Sequence, residues 1–387
     1  MAIRTFVAVT EEVDDIDDAW ADISTQIDFL ALDSNSVGII TCYYDFIESG
    51  LLAELNERLP FETIGTTSMS AASSKGIGVC QLILMVLTGD DVCFSTAQSA
   101  PLGKDDYRTA LAQAFDDARS RLSCEPVFAI SYLPYLHDIS GAQMLQTLDE
   151  AAEGRPVWGG IASGVDMTYA FSTVLHNGSA KETVCSLLLI GGAVEPEFVV
   201  TSIPSRNVFE SKALVTSSEE SLIREINGIA AQEYFRSIGI QPDDHDTTTI
   251  PIIVDSGDGS KPVALAMYGA DENGAVLCGG FVPQGSTLSI AGIDREGILD
   301  TAQASLDELA ALDKHSGLLL MPCVTRYIML APNPEAEMEL ALKYLSATEP
   351  SLPYYLGYAG GELCPVKAGD GKYHNRFHNF TFSACIL

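Results

Sequence analysis

The feature that most constrains the fold is a repeat. Three stretches of the sequence, at about 14–97, 104–203 and 294–387, follow one order of helix, strand, helix, strand, glycine-rich turn and further strands. Such self-similarity predicts three copies of one structural unit, because each copy repeats the same alternation of helical and strand patterns.

Individual residues show the pattern. In the first unit Ile16, Trp20 and Ile23 share a helical face, and the apolar run 37–42 follows as a strand. The unit ends in a predicted strand pair, 79–87 with 92–97. The second and third units share a finer detail, since Leu-His-Asn at 175–177 corresponds to Phe-His-Asn at 377–379. We therefore interpret the chain as a duplicated unit, with ordinary α/β periodicity as the alternative.

Strands that are apolar throughout, such as Leu187–Ile190 and Leu318–Met321, must be covered on both faces. The sequence therefore predicts an α/β fold (α+β, mixed sheets), with layered sheets covered by helices. We expect two domains: 1–207 with two units, and 208–387 with the third.

The segment between the second and third units has its own pattern. It predicts a helix near 222–235, an acidic loop at 242–246, a strand at 250–254, and a hairpin of 263–268 with 275–282.

Charge and cysteine content exclude several classes of function. The 21 Lys and Arg against 53 Asp and Glu give a net charge of −32, which repels nucleic acids and anionic membranes. No apolar run reaches the roughly 20 residues of a membrane span. The nine cysteines include no Cys-x-x-Cys pair, so we expect reduced core thiols in a cytoplasmic protein.

Three sets of residues are candidates for chemistry. The glycine-rich turns can expose backbone N–H groups to a ligand. Arg326 follows a strand, where it can bind a carboxylate or pair internally with Glu362. Cys323 is the best-placed thiol but has no sequence-local base. The His374 and His378 spacing is too unspecific for a metal site, and we predict neither metal nor cofactor.

These elements resemble the FIST sensory-domain family, which has N-terminal and C-terminal FIST regions. The C-terminal resemblance rests on Cys-Val-Thr-Arg at 323–326, acidic residues at 335–339, Gly-Tyr-Ala-Gly-Gly-Glu at 357–362 and Asn-Phe-Thr at 379–381. In the N-terminal region the turns at 65–68 and 159–162 resemble those of the family, although Thr66 replaces its usual cysteine.

The resemblance implies a sensor that binds a small, amino-acid-like or carboxylate ligand and signals to a separate protein. In that hypothesis Arg326 binds a carboxylate and Glu362 an ammonium group. The other expected ligand-binding residues are Cys323, Gly357, Tyr358, Gly360, Gly361, Asn379, Gly65, Thr66, Thr67, Ser68, Gly159, Gly160 and Ser163. A function without catalysis is favoured. The alternatives are a ligand-free interaction or structural protein and a cysteine-dependent enzyme using Cys323.

Overall fold

The computed structural model describes residues 3–78, 80–166, 168–209, 212–242, 248–312 and 315–387. The first part of the chain forms β1 (Arg4–Thr10), α1 (Ile16–Gln26), β2 (Ser36–Cys42), α2 (Asp45–Glu48), α3 (Leu51–Arg58), β3 (Thr63–Thr67), β4 (Ala71–Ser73), β5 (Gly76–Gly78), β6 (Leu82–Thr88) and β7 (Val92–Gln98). The second part forms α4 (Tyr107–Arg121), β8 (Pro126–Leu133), α5 (Gly141–Ala151), β9 (Val157–Ile161), β10 (Val174–His176), β11 (Ser179–Lys181), β12 (Ser186–Gly192) and β13 (Glu197–Thr201).

The remainder of the chain contains an inserted segment and the third unit. The inserted segment forms β14 (Ala213–Glu219), β15 (Leu222–Ile226), β16 (Ile229–Ala230), α6 (Ala231–Ser237), β17 (Ile252–Asp255), β18 (Val263–Leu265), β19 (Met267–Ala270), β20 (Val276–Cys278) and β21 (Thr287–Ile290). The third unit forms α7 (Arg295–Ala310), β22 (Leu318–Pro322), α8 (Val324–Met329), α9 (Ala336–Thr348), β23 (Tyr354–Gly357), β24 (Glu362–Lys367), β25 (Tyr373–His378) and β26 (Phe382–Ile386).

Local sequence signals explain where several helices begin. The Asp15 carboxylate accepts hydrogen bonds from the first-turn N–H groups of α1, and Asp294 does the same for α7. Ser140 and Gln143 form a reciprocal capping box at the start of α5. These caps satisfy N–H groups that have no partner inside the helix.

The three units form three mixed sheets with one strand order, which confirms the predicted fold class. Sheet 1 runs β1-β6-β2-β3-β10-β11, sheet 2 runs β7-β12-β8-β9-β24-β25, and sheet 3 runs β13-β26-β22-β23-β4-β5. In each sheet the last two strands are a hairpin supplied by a different unit. The first unit gives its hairpin to sheet 3, the second to sheet 1 and the third to sheet 2.

This exchange of hairpins between units shows that one expectation about which strands pair was wrong. The sequence pattern places 79–87 and 92–97 together as a strand pair, but β6 lies in sheet 1 and β7 in sheet 2. Likewise β13 belongs to the second unit in the chain, yet it pairs with β26 in sheet 3. Periodicity locates a strand but carries no information about its partner, which explains the difference.

The inner faces of the three sheets pack against one another around a shared core. Ile39, Ile130 and Leu319 contribute to it from sheets 1, 2 and 3. Helices cover the outer faces: α1 and α3 on sheet 1, α4 and α5 on sheet 2, and α7 and α9 on sheet 3. Strands that are apolar throughout are therefore buried on both faces, as expected.

The inserted segment forms a fourth sheet, ordered β18-β17-β21-β14-β15-β20-β19, with β16 paired to β15. The predicted helix at 222–235 is wrong for its first half, because Leu222–Ile226 is a strand and the helix begins at Ala231. The strand near 250–254 is confirmed as β17. Most of the predicted acidic loop, 243–246, lies outside the described residues. In the part of the chain that is described, no helix is long and apolar enough to cross a membrane.

Candidate functional site

The glycine-rich turns of the three units meet through side chains. The Thr67 hydroxyl donates to the Ser163 carbonyl (2.9 Å), and the Ser163 hydroxyl donates to the Tyr358 carbonyl (2.8 Å). The Tyr358 N–H in turn donates to the Ser68 hydroxyl (2.8 Å). Residues expected to bind a ligand from three separate turns are thus brought together, and they bind one another.

Most glycines in these turns accommodate neighbouring strands. A Cβ on Gly65 would lie 2.1 Å from the Ile40 carbonyl oxygen, and one on Gly159 would lie 1.9 Å from that of Ser131. Gly65, Gly159, Gly160 and Gly357, like Thr66, lie within strands. Their small size is required by strand packing.

Arg326 is fully buried in α8 and pairs with Glu337, not with Glu362. Its Nε donates to Glu337 Oε1 (2.9 Å), Nη1 to the Phe380 carbonyl (3.1 Å) and Nη2 to the Ile298 carbonyl (2.8 Å). The sequence-based alternative of an Arg326–Glu362 pair is therefore corrected. Because all three nitrogens donate within the chain, this conformation leaves Arg326 no group for a ligand carboxylate.

Asn379 also has a structural position. Its N–H donates to the Ala264 carbonyl (3.0 Å), and its side-chain oxygen accepts from the Ala266 N–H (3.1 Å). It thereby ties the turn before β26 to the inserted sheet.

Glu362 differs from these residues because one of its oxygens has no partner. It is fully buried at the start of β24, where Oε2 accepts a hydrogen bond from the Thr381 hydroxyl (2.6 Å). Oε1 has no hydrogen-bond partner among the described residues. Burial raises the pKa of this carboxyl to about 8, although hydrogen bonds from Thr381 and from the Cys323 thiol, and the charge of Arg326, oppose the rise.

The Cys323 thiol lies beside this carboxyl. Burial raises the pKa of Cys323, and the neighbouring Glu362 raises it further. Both effects disfavour a thiolate, which is the nucleophilic form of cysteine.

A cleft of about 700 Å³ opens next to Gly360 and is lined by Tyr135, Tyr268 and Phe377. We call it the tyrosine cleft. Tyr169 packs beside it, stacked on Tyr135 with ring centroids 4.1 Å apart and rings inclined by 5°. The Tyr169 hydroxyl donates to the Gly360 carbonyl (3.3 Å).

The tyrosine cleft and Glu362 are electrostatic neighbours. Burial raises the pKa of Tyr169, and nearby Tyr268, Cys323, Tyr135 and Glu362 raise it further. Glu362 does not itself line the cleft: Gly360, two residues earlier, does so, and Glu362 lies opposite His378 in the pairing of β24 with β25. The buried carboxyl is therefore within electrostatic range of the aromatic rings, although it does not line the cleft that they form.

The rim of the tyrosine cleft is acidic. Asp138, Glu219 and Glu220 line it, and among the described residues no lysine or arginine does so. Glu220 accepts a hydrogen bond from the Gln143 side chain (2.9 Å). Glu220 also pairs with Arg108 (3.7 Å) and Glu219 pairs with Arg224, so the aromatic walls are the stronger of the two features that favour a cationic group.

The three tyrosines were absent from the sequence-based list of candidates. Tyr135 could have been found, because it lies just after β8, where ligands commonly bind in α/β sheets. Tyr169 and Tyr268 carry no comparable signal, since a long loop and the inserted sheet bring them to the cleft. Over the same described ranges, no group of three His, Cys, Asp or Glu side chains could hold a metal ion.

Fold and site together describe an α/β protein with a ligand-sized aromatic cleft beside a buried carboxyl. The chain matches the FIST N domain over residues 36–229 and the FIST C domain over residues 230–365, and it belongs to the FIST family. FIST domains are sensory domains, which supports small-ligand binding in signalling.

No curated protein sequence matches the chain. Among solved structures it is similar to the cyanuric acid hydrolase from A. caulinodans, with a TM-score of 0.40, 9% identity and coverage of 99% of this chain and 98% of that one. A second structure, described as a cyanuric acid hydrolase and evolutionary innovation by structural concatenation, gives a TM-score of 0.38 at 8% identity, with the same coverage of 99% and 98%. At this level of similarity neither structure bears on the function of this chain.

Proposed function

We propose that this chain is a small-molecule sensor whose ligand is an amino-acid-like amine bound in the tyrosine cleft. The observation that carries the proposal is the unpartnered Oε1 of the buried Glu362, which is within electrostatic range of the tyrosines at the cleft. A buried polar atom without a partner costs free energy, and a ligand N–H can remove that cost.

A ligand ammonium group fits the chemistry of the cleft in two ways. The aromatic faces attract cations through their electron-rich surfaces. Glu362 supplies a counter-charge once it ionises, and a cation beside it would lower its pKa. Binding of an amine is therefore coupled to release of the Glu362 proton at neutral pH.

The carboxylate of the same ligand would lie at the start of α5. The helix start thus takes the place of Arg326, which the sequence suggests as the carboxylate-binding group. Gly141, the first residue of α5, lines the tyrosine cleft. The capping box occupies the N–H groups of Ser140 and Gln143 and leaves those of Gly141 and Ala142 without a side-chain partner. A helix N-terminus of this kind favours an anion.

A thermal-shift screen against amino acids and their decarboxylated and deaminated analogues tests the proposal. At a hundredfold excess over Kd a ligand adds about 2.7 kcal/mol to the free energy of unfolding, enough for a clear shift. We expect shifts with amines, and their loss in Glu362→Gln and Tyr135→Ala. Glu339→Gln, on the exposed face of α9, is the matched control that keeps them.

Two outcomes contradict the proposal. Shifts that survive unchanged in Glu362→Gln would remove the carboxyl from the site. No shift with any amine would favour a ligand-free interaction protein. In a cytoplasmic sensor of this type the signal passes to a separate protein, and a ligand-dependent pull-down follows from a positive screen. The raised pKa of Cys323 speaks against the cysteine-dependent alternative.

A further inference from the structure

A second cavity, of about 580 Å³, lies on the opposite side of β25 from the tyrosine cleft. Phe377 lines the tyrosine cleft and His378 lines this second cavity, because successive residues of a strand face opposite sides. The inserted sheet forms one wall, and the end of β13 with α7 forms the other. Its size is in the range of small-molecule sites.

Much of the second cavity is apolar. Val200, Ile203, Val208 and Ile253 line it. Phe209 also lines it and is 59% exposed, although a phenyl ring gains free energy from burial. An apolar ligand chain would cover these surfaces.

The polar groups of the second cavity include hydroxyls, which can donate to an anion, and two lysines. The Thr287 and Ser289 side chains lie on β21, and Lys212 and Lys261 are exposed. Asp255 is the one acid among the lining residues described, so the three charged side chains sum to +1 in a chain of net charge −32. The lining residues thus carry a slight positive charge in a strongly negative protein, and Glu308 balances Lys261 from outside the cavity.

Two further contacts bear on the charges of Lys261 and His378 at the second cavity. Lys261 also pairs with Glu308 outside the cavity (3.2 Å), but both side chains are about half exposed and such pairs contribute little. Burial lowers the pKa of His378 to about 4, so its ring is neutral at pH 7 and its Nε2–H donates to the Cys364 carbonyl. The ring adds no charge against an anion.

From this combination we infer a second ligand site, which takes a small carboxylate with an apolar chain. The chain lies against Ile203, Val208 and Phe209, and the carboxylate lies between Lys212, Lys261 and the hydroxyls of β21. The site is separate from the tyrosine cleft, since β25 stands between them.

Isothermal titration with octanoate and with octan-1-ol tests the inference on the full chain. We expect octanoate to bind at least tenfold more tightly than the alcohol. The double variant Lys212→Ala/Lys261→Ala should lose that preference while binding the alcohol as before. Lys343→Ala, an exposed lysine on α9, and Tyr135→Ala, in the other cleft, should both bind octanoate normally.

The opposing results are equally specific. Equal affinity for octanoate and octan-1-ol, or an unchanged preference in the double lysine variant, would overturn the carboxylate assignment. Loss of octanoate binding in Tyr135→Ala would place the ligand in the tyrosine cleft and overturn the second site. Both lysines are exposed, so the double variant should fold, and its unfolding midpoint verifies this.

Discussion

Two buried acidic side chains of the third unit, Glu337 and Glu362, differ in how fully their oxygens are paired inside the protein. Glu337 is matched by Arg326, so removing either partner would leave an uncompensated buried charge, a change that typically costs 3–5 kcal/mol. Glu362 has a hydroxyl partner on one oxygen and none on the other. Glu337 therefore stabilises the fold, whereas Oε1 of Glu362 can still accept a hydrogen bond from a ligand.

The raised pKa of Glu362 predicts a pH dependence of stability. Its pKa is about 8 in the folded protein and roughly 4.3 in an unfolded chain, so the folded state holds a proton that the unfolded state releases between these values. Glu362 therefore makes its full contribution to the free energy of unfolding below about pH 4. This contribution falls as the pH rises towards 8 and no longer changes above pH 8.

Glu362→Gln removes this titration, so the variant should gain stability relative to the unmodified protein as the pH rises from 5 to 8, by a few kcal/mol. Urea unfolding of both proteins at a series of pH values measures the difference. Glu339→Gln should show no such trend. Parallel curves for Glu362→Gln and the unmodified protein would mean that the buried carboxyl is already ionised.

At the scale of elements, close approach between strands explains why two glycines stand where they do. β3 runs parallel to β2 with Gly65 opposite Ile40, and β9 runs parallel to β8 with Gly159 opposite Ser131. Sequence reasoning located both glycines and predicted a ligand beside them. It could not show that another strand takes that space, because the contact joins segments distant in sequence.

Gly65→Ala should destabilise the protein by at least about 2 kcal/mol, because its Cβ would lie 2.1 Å from the Ile40 carbonyl oxygen and the two strands would have to separate. Gly292→Ala is the matched control, since nothing lies within 4 Å of a Cβ there. We expect it to change stability by less than about 1 kcal/mol. Chemical denaturation compares the two, and equal effects would rule out the strand contact as the cause.

For the whole molecule, sequence periodicity was sufficient to find the three units and their helix-covered strands. It was insufficient to find the exchange of hairpins, because a short strand such as β4 or β24 has the same apolar pattern whichever sheet it joins. The tyrosine cleft was missed for the same reason, since Tyr169 and Tyr268 reach it from segments with no sequence link to Glu362.

The exchange predicts that residues 1–207 will not fold alone. Without the rest of the chain β13 lacks β26, the β4–β5 hairpin lacks β23, and β9 lacks β24. We expect the fragment to be insoluble or to lack a cooperative unfolding transition. Co-expression with 208–387 should restore a soluble two-chain complex with both. A monomeric 1–207 that unfolds cooperatively would establish it as an independent domain.

The placement of the third hairpin also bears on how the protein is made. A ribosome releases the chain N-terminus first, at about 5–20 residues per second. Sheet 1 has all its strands once β11 emerges, but sheet 2 waits for β24 and β25 and sheet 3 for β26. Until then β9 presents an unpaired edge, which is a template for pairing with other chains. The nascent protein therefore keeps this edge exposed until β24 has been made, the interval in which a chaperone would be of most use.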